Sequence, residues 1–74
     1  MTGRAFVIGY DIADPRRLQR VHRAMCKHAS PLEYSVFLLV GSEAYRQSCL
    51  AAVAELIDPD ADDVSSRGWR RHAG

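Results

Sequence analysis

Asp11 is the carboxylate of this chain best placed to do chemistry. It ends the apolar run Phe6-Val7-Ile8-Gly9-Tyr10, just where a helix is about to begin. Folds commonly put functional groups at strand ends and in the loops that follow them. One carboxylate alone does not build a divalent-cation site, because Mg²⁺ demands near-octahedral oxygen ligation and takes one or two carboxylates together with water and phosphate. A two-fold dimer that set both Asp11 side chains across one cleft would double the ligands. The competing role is local: a strand-end aspartate that caps the amides of Ala13 or Asp14.

The second chemical group is cationic. Arg16, Arg17, Arg20, Arg23 and Lys27 follow within one predicted helix, and guanidinium groups grip phosphate oxygens in a bidentate manner. On a helical wheel Arg16, Arg20, Arg23 and Lys27 share a narrow stripe, and no acidic residue stands four positions away to pair with any of them. Such a run is either a solvated helix face or a nucleic-acid contact. The whole chain carries 10 Lys+Arg against 9 Asp+Glu, a net charge of +1. The charges are nevertheless segregated. Basic residues dominate from Arg4 to Arg46, Glu55, Asp58, Asp60, Asp62 and Asp63 form an acidic stretch, and Arg67, Arg70 and Arg71 follow. Segregation of this kind permits a basic patch on a nearly neutral protein.

Other chemistries are excluded by spacing. Ser35 has no base beside it in sequence and no Gly-x-Ser-x-Gly elbow, which argues against a serine hydrolase. His22, His28 and His72 with Cys26 and Cys49 lack the paired spacing of a zinc site, and both cysteines read as small core residues. There is no glycine-rich phosphate loop or dinucleotide fingerprint.

These residues need a frame. Phe6, Ile8, Tyr10 and Ile12 alternate with Ala5, Val7, Gly9 and Asp11, so the first strand is apolar on both faces until Asp11, as a central strand should be. Asp14-Pro15 starts a helix, with Asp as N-cap and Pro at the first position. That helix runs to about Lys27 and turns Leu18, Val21 and Met25 toward the sheet. Leu32 to Val40 is extended, as one bent strand or two short ones. Ser42 caps a second helix over Glu43 to Ile57, and Asp63 to Arg67 forms at most a short last strand. The order predicts an α+β ferredoxin-like β-α-β-β-α-β sandwich, with a C-terminal strand short or missing. Residues 1–68 form a single domain and 69–74 a tail.

A chain of 74 residues rarely draws more than about 3–5 kcal/mol from its core without help. Two cysteines are too few for a disulfide framework, so a symmetric homodimer is expected. A hydrophobic fraction of 47% argues against disorder. No apolar run approaches the roughly 20 residues that span a bilayer, no export signal is visible, and the free cysteines suit a reducing compartment. The expected location is cytoplasmic, away from membranes.

The segments Phe6-Val7-Ile8-Gly9-Tyr10-Asp11-Ile12, Asp14-Pro15-Arg16-Arg17 and Tyr34-Ser35-Val36-Phe37 resemble the Cas-two family, the small CRISPR-associated proteins that accompany the Cas-one integrase in spacer acquisition. The resemblance extends over about residues 4–64 and includes Leu56-Ile57-Asp58-Pro59 and Asp62-Asp63-Val64. It implies a dimer that binds nucleic-acid backbone, either duplex DNA or single-stranded RNA, with the Cas-one integrase as partner. It further implies Asp11 as the metal ligand of a Mg²⁺-dependent endonuclease, Arg16 and Arg17 as the basic pair near it, and Ser35 and Phe37 as the segment beside it. Two alternatives stand next to that reading: a non-catalytic DNA-binding scaffold, and a toxin ribonuclease resembling the virulence-associated protein D family. The chain departs from the family pattern at Glu33, Leu38 and His28-Ala29. After Val64, Ser65-Ser66-Arg67-Gly68-Trp69 replaces a strand that would complete the partner's sheet.

Overall fold

The computed structural model describes residues 4–69. The elements are β1 (Arg4–Asp11), α1 (Pro15–His28), β2 (Ser30–Glu33), β3 (Val36–Gly41), α2 (Glu43–Ala54) and β4 (Asp63–Gly68). All pairings are antiparallel and the strand order is β2-β3-β1-β4, which is the ferredoxin-like α+β arrangement expected from the sequence.

The first strand is central, as its two apolar faces require. Phe6, Ile8, Tyr10 and Ile12 point to the helix side and are buried with Val21, Met25, Phe37, Leu39, Cys49 and Val53. Leu18, Leu50, Leu56, Ile57 and Val64 pack against this cluster from its margins. The alternate residues of the strands, among them Val7, Val36, Leu38 and Val40, face the other way. Val40 is 63% exposed, so an apolar patch on this side of the sheet is uncovered within the chain.

Helix α1 starts as its cap residues dictate. The Asp14 carboxylate accepts the Arg17 amide at 3.0 Å, and Pro15 occupies the first turn. Ser42 accepts the Tyr45 amide at 3.1 Å and begins α2 in the same way. That helix ends at Ala54 rather than Ile57. Leaving the helix early lets Leu56 and Ile57 drop onto the core margin, while the following turn is tied down by Asp62. The extended segment resolves into two strands, with a turn at Tyr34-Ser35 and an irregular register between Pro31 and Glu33.

One further expectation is corrected. Cys26 lies exposed on α1, and only Cys49 belongs to the core, its Sγ 3.7 Å from Met25 Sδ. Burial pushes the Cys49 thiol pKa up. The C-terminal strand is present although Ser65, Ser66 and Gly68 are poor strand formers. It pairs along β1 from Asp11↔Asp63 to Phe6↔Gly68, because a buried central strand must satisfy its backbone groups on both edges. The Trp69 amide continues the pattern by donating to the Ala5 carbonyl at 2.7 Å. The rest of the expected tail, with Arg70, Arg71 and His72, lies outside the described residues, as do residues 1–3. No helix among the described residues is long and apolar enough to cross a membrane.

Candidate functional site

The last residue of β1 and the first of β4 stand opposite each other: Asp11 pairs in register with Asp63. Both are exposed, and residues directly opposite in an antiparallel pair bring their Cβ atoms to about 4.5–5.5 Å. Two carboxylates so placed repel unless something cationic lies between them. Among the described residues neither takes part in an ion pair. They border a shallow cleft of about 260 Å³ lined also by Gly9, Tyr10, Ser35, Val36 and Ser65. The Ser35 carbonyl accepts the Tyr10 amide at 3.1 Å, which fixes the β2–β3 turn against β1. Gly9 forms part of the lining: a methyl group there would sit 3.6 Å from Ser65 Oγ and 3.8 Å from the Ser35 carbonyl.

The capping role for Asp11 does not hold, since the Ala13 amide donates to Asp62 Oδ1 at 2.9 Å. Asp62 is the capping residue that sequence reasoning missed. Its side chain is fully enclosed. It accepts Arg17 Nε at 2.8 Å, Arg17 Nη2 at 3.2 Å and the Asp58 amide at 2.9 Å. The Arg17 hydrogen bonds hold the Asp62 carboxyl far below the usual carboxylate range. The Asp58 and Ala13 amides reinforce them, and burial opposes the shift. The same pair raises the Arg17 pKa. Arg17 is thus a structural tie between α1 and the acidic loop, which separates it from its neighbour Arg16.

The remaining cations divide in the same way. Arg46 is ion-paired with Glu43, donates to Ser66 Oγ at 3.2 Å and lies 5.0 Å from the Phe6 ring centre. Arg16, Arg20, Arg23 and Lys27 are all exposed on α1, and among the described residues none is in an ion pair. Phe37 does not reach the cleft. It points into the helix layer with no exposed surface, 6.0 Å from the Tyr10 ring and 5.3 Å from the His22 ring. Its alternation with Val36 along β3 sends it to the core, so its part is to support Tyr10 from below.

Tyr10 ties the cleft to this core. Its hydroxyl donates to the Tyr34 carbonyl at 3.1 Å, and His22 Nδ1 lies 3.1 Å from both oxygens. Facing a carbonyl acceptor, Nδ1 carries the imidazole proton. Burial, with Tyr34 and Cys26 nearby, pushes the Tyr10 pKa up to about 12, so its hydroxyl stays a donor across the physiological range.

The donor set of the cleft is oxygen only, two carboxylates with Ser35 and Ser65 beside them. Among the described residues no group of three or more His, Cys, Asp or Glu converges on one point. Two carboxylates suit a hard divalent ion that draws its other ligands from water and a bound phosphate.

Fold and cleft together define a small ferredoxin-like protein with an acidic strand-end cleft and a separate cationic helix face. Residues 4–70 match the family model of CRISPR associated protein Cas2, and the chain belongs to that family. It is 49% identical over 59 residues to the CRISPR-associated endoribonuclease Cas2 1 of Nitrosomonas europaea, covering 80% of this chain and 56% of that protein. It is 34% identical over 59 residues to the CRISPR-associated endoribonuclease Cas2 2 of Thermodesulfovibrio yellowstonii, covering 80% of this chain and 65% of that one. The matched region therefore spans less than two thirds of either relative. Among solved structures, a hypothetical protein of Thermus thermophilus superposes with a TM-score of 0.88 at 19% identity, over 93% of this chain and 84% of the other. Streptococcus pyogenes Cas2 at pH 6.5 superposes with a TM-score of 0.76 at 19% identity, over 85% and 82%. These two likenesses concern the fold.

Proposed function

We propose that this chain is a nucleic-acid-binding endonuclease of CRISPR adaptation, Mg²⁺-dependent and acting on RNA or DNA as a symmetric homodimer beside the Cas-one integrase. The observation that carries the reading is the exposed Asp11–Asp63 pair bordering a cleft in a chain whose relatives bear the name endoribonuclease. Asp11 and Asp63 are the residues that would hold the cation, which when bound supplies Lewis-acid polarisation of the phosphate and a more acidic water. The chain's own groups do the rest. Arg16, Arg20, Arg23 and Lys27 bind the phosphate backbone. The Ser35 and Ser65 hydroxyls offer hydrogen bonds to phosphate or sugar oxygens, and neither serves as the nucleophile, a part that falls to water. The dimer is supported by the uncovered face around Val7, Leu38 and Val40, since a two-fold axis lets one apolar patch cover its own copy.

A binding-only scaffold is the second reading, favoured by the cations of α1, which lie along one helix face rather than around the cleft. One experiment separates the two. Asp11→Ala should lower Mg²⁺-dependent cleavage about 100-fold or more while leaving duplex binding in place. Cleavage that survives the substitution in clean protein removes Asp11 from the reaction, and a wild type that binds without cutting supports the scaffold.

A further inference from the structure

Tyr34 is 57% exposed at the β2–β3 turn, yet its ring is not free to wander. The His22 imidazole lies parallel to it, with centroids 4.7 Å apart and planes within 18°. The Tyr34 carbonyl is gripped by the Tyr10 hydroxyl and His22 Nδ1, each at 3.1 Å. His22 in turn meets the buried Phe37 edge-on at 5.3 Å. The result is a stack running from the core to the surface and ending in an aromatic ring. The ring lies flat against His22 and stays more than half exposed.

Its neighbours indicate what would lie on it. The next residue, Ser35, lines the acidic cleft. The helix that supplies His22 bears Arg16, Arg20, Arg23 and Lys27 and no acidic residue. A preset aromatic face beside a cationic helix is what an unstacked nucleobase recognises, and such stacking tolerates any base because every base has a π face. In a duplex those faces are covered by neighbouring base pairs, whereas splayed bases in single strands are open to stacking. We infer that Tyr34, backed by His22, is a stacking platform for one base of a single-stranded nucleic acid whose backbone runs past Ser35 toward the cleft. This deepens the nucleic-acid reading above and rests on it for the class of ligand.

The test is equilibrium binding of a short labelled single-stranded RNA in the presence of chelator, so that cleavage plays no part and a failed cleavage reading leaves this result standing. Tyr34→Leu should weaken single-strand binding about 10-fold, Tyr34→Phe should bind as wild type does, and binding of the matching duplex should be unchanged in both. An abasic site moved along the RNA gives a readout independent of folding: wild type should lose about 10-fold at one position, and Tyr34→Leu should be indifferent to that position. The inference is overturned if wild type does not bind the single strand or treats all abasic positions alike. It is equally overturned if Tyr34→Leu binds as tightly as wild type, or loses duplex and single strand equally.

Discussion

Asp62 and Asp63 are adjacent in the chain, and the fold puts them to opposite uses. Asp62 turns inward, enclosed, and accepts hydrogen bonds from Arg17, Ala13 and Asp58. Asp63 turns outward at the head of β4, opposite Asp11, and among the described residues takes part in no ion pair. Arg17 and Arg16 repeat the division on α1: one guanidinium is held by Asp62, the other lies exposed. A charge satisfied by neighbours stabilises a fold. A charge left without partners at a cleft is available to a ligand.

The contrast can be probed by substitutions that should act on one side only. The largest effect on stability is expected from the core beneath the cleft: Phe37→Ala should destabilise the fold by about 3–5 kcal/mol, read by denaturant titration, and should lower cleavage by the folded fraction far less than Asp11→Ala does. A loss in the folded protein as large as that of Asp11→Ala would return Phe37 to the site. Next comes the buried carboxylate. Hydrogen bonding to Arg17 depresses the folded-state pKa of Asp62, so its stabilisation is fully present above the unfolded value of about 3.9. That stabilisation is lost as the pH falls from there through the folded pKa. Glu43, lowered by Arg46 and Gln47, works in the same direction. Thermal melts should therefore show Asp62→Asn lowering the melting temperature at neutral pH and converging on wild type in strong acid. Parallel curves across that range would mean that Asp62 is not the group that titrates. The smallest effect concerns the outer cations. Replacing Arg16, Arg20 and Arg23 with Ala should reduce the slope of log affinity for duplex DNA against log salt by up to about 3, with little change in melting temperature. A slope that falls only with Arg17→Ala would reverse the assignment of the two neighbours.

What the sequence discloses and what it hides follow from the range of the interactions. The alternation from Phe6 to Ile12, the Asp14-Pro15 start and the stripe of Arg16, Arg20, Arg23 and Lys27 are local patterns, and the elements form where they indicate. The central place of β1 follows from them, because a strand apolar on both faces must sit inside the sheet. Asp63 and Asp62 are different. Their roles depend on how β4 docks on β1 and on which way the preceding turn points, and a run of acidic residues is only a solvated stretch until that docking is known. Phe37 has the opposite problem, since a motif places it beside the site while its position along β3 sends it to the core. Cys26 escapes the rule that cysteines are buried because it lies on the side of α1 away from Val21 and Met25.

The central claim, that Asp11 and Asp63 act as one unit across two strands, is tested most directly by measuring Mg²⁺-dependent cleavage of single-stranded RNA by Asp63→Asn beside wild type. The account predicts a fall of about 100-fold or more, with a melting temperature no lower than that of wild type, because the substitution removes a like-charge pair. A wild-type rate in the Asp63→Asn protein would contradict it and leave Asp11 without its cross-strand partner.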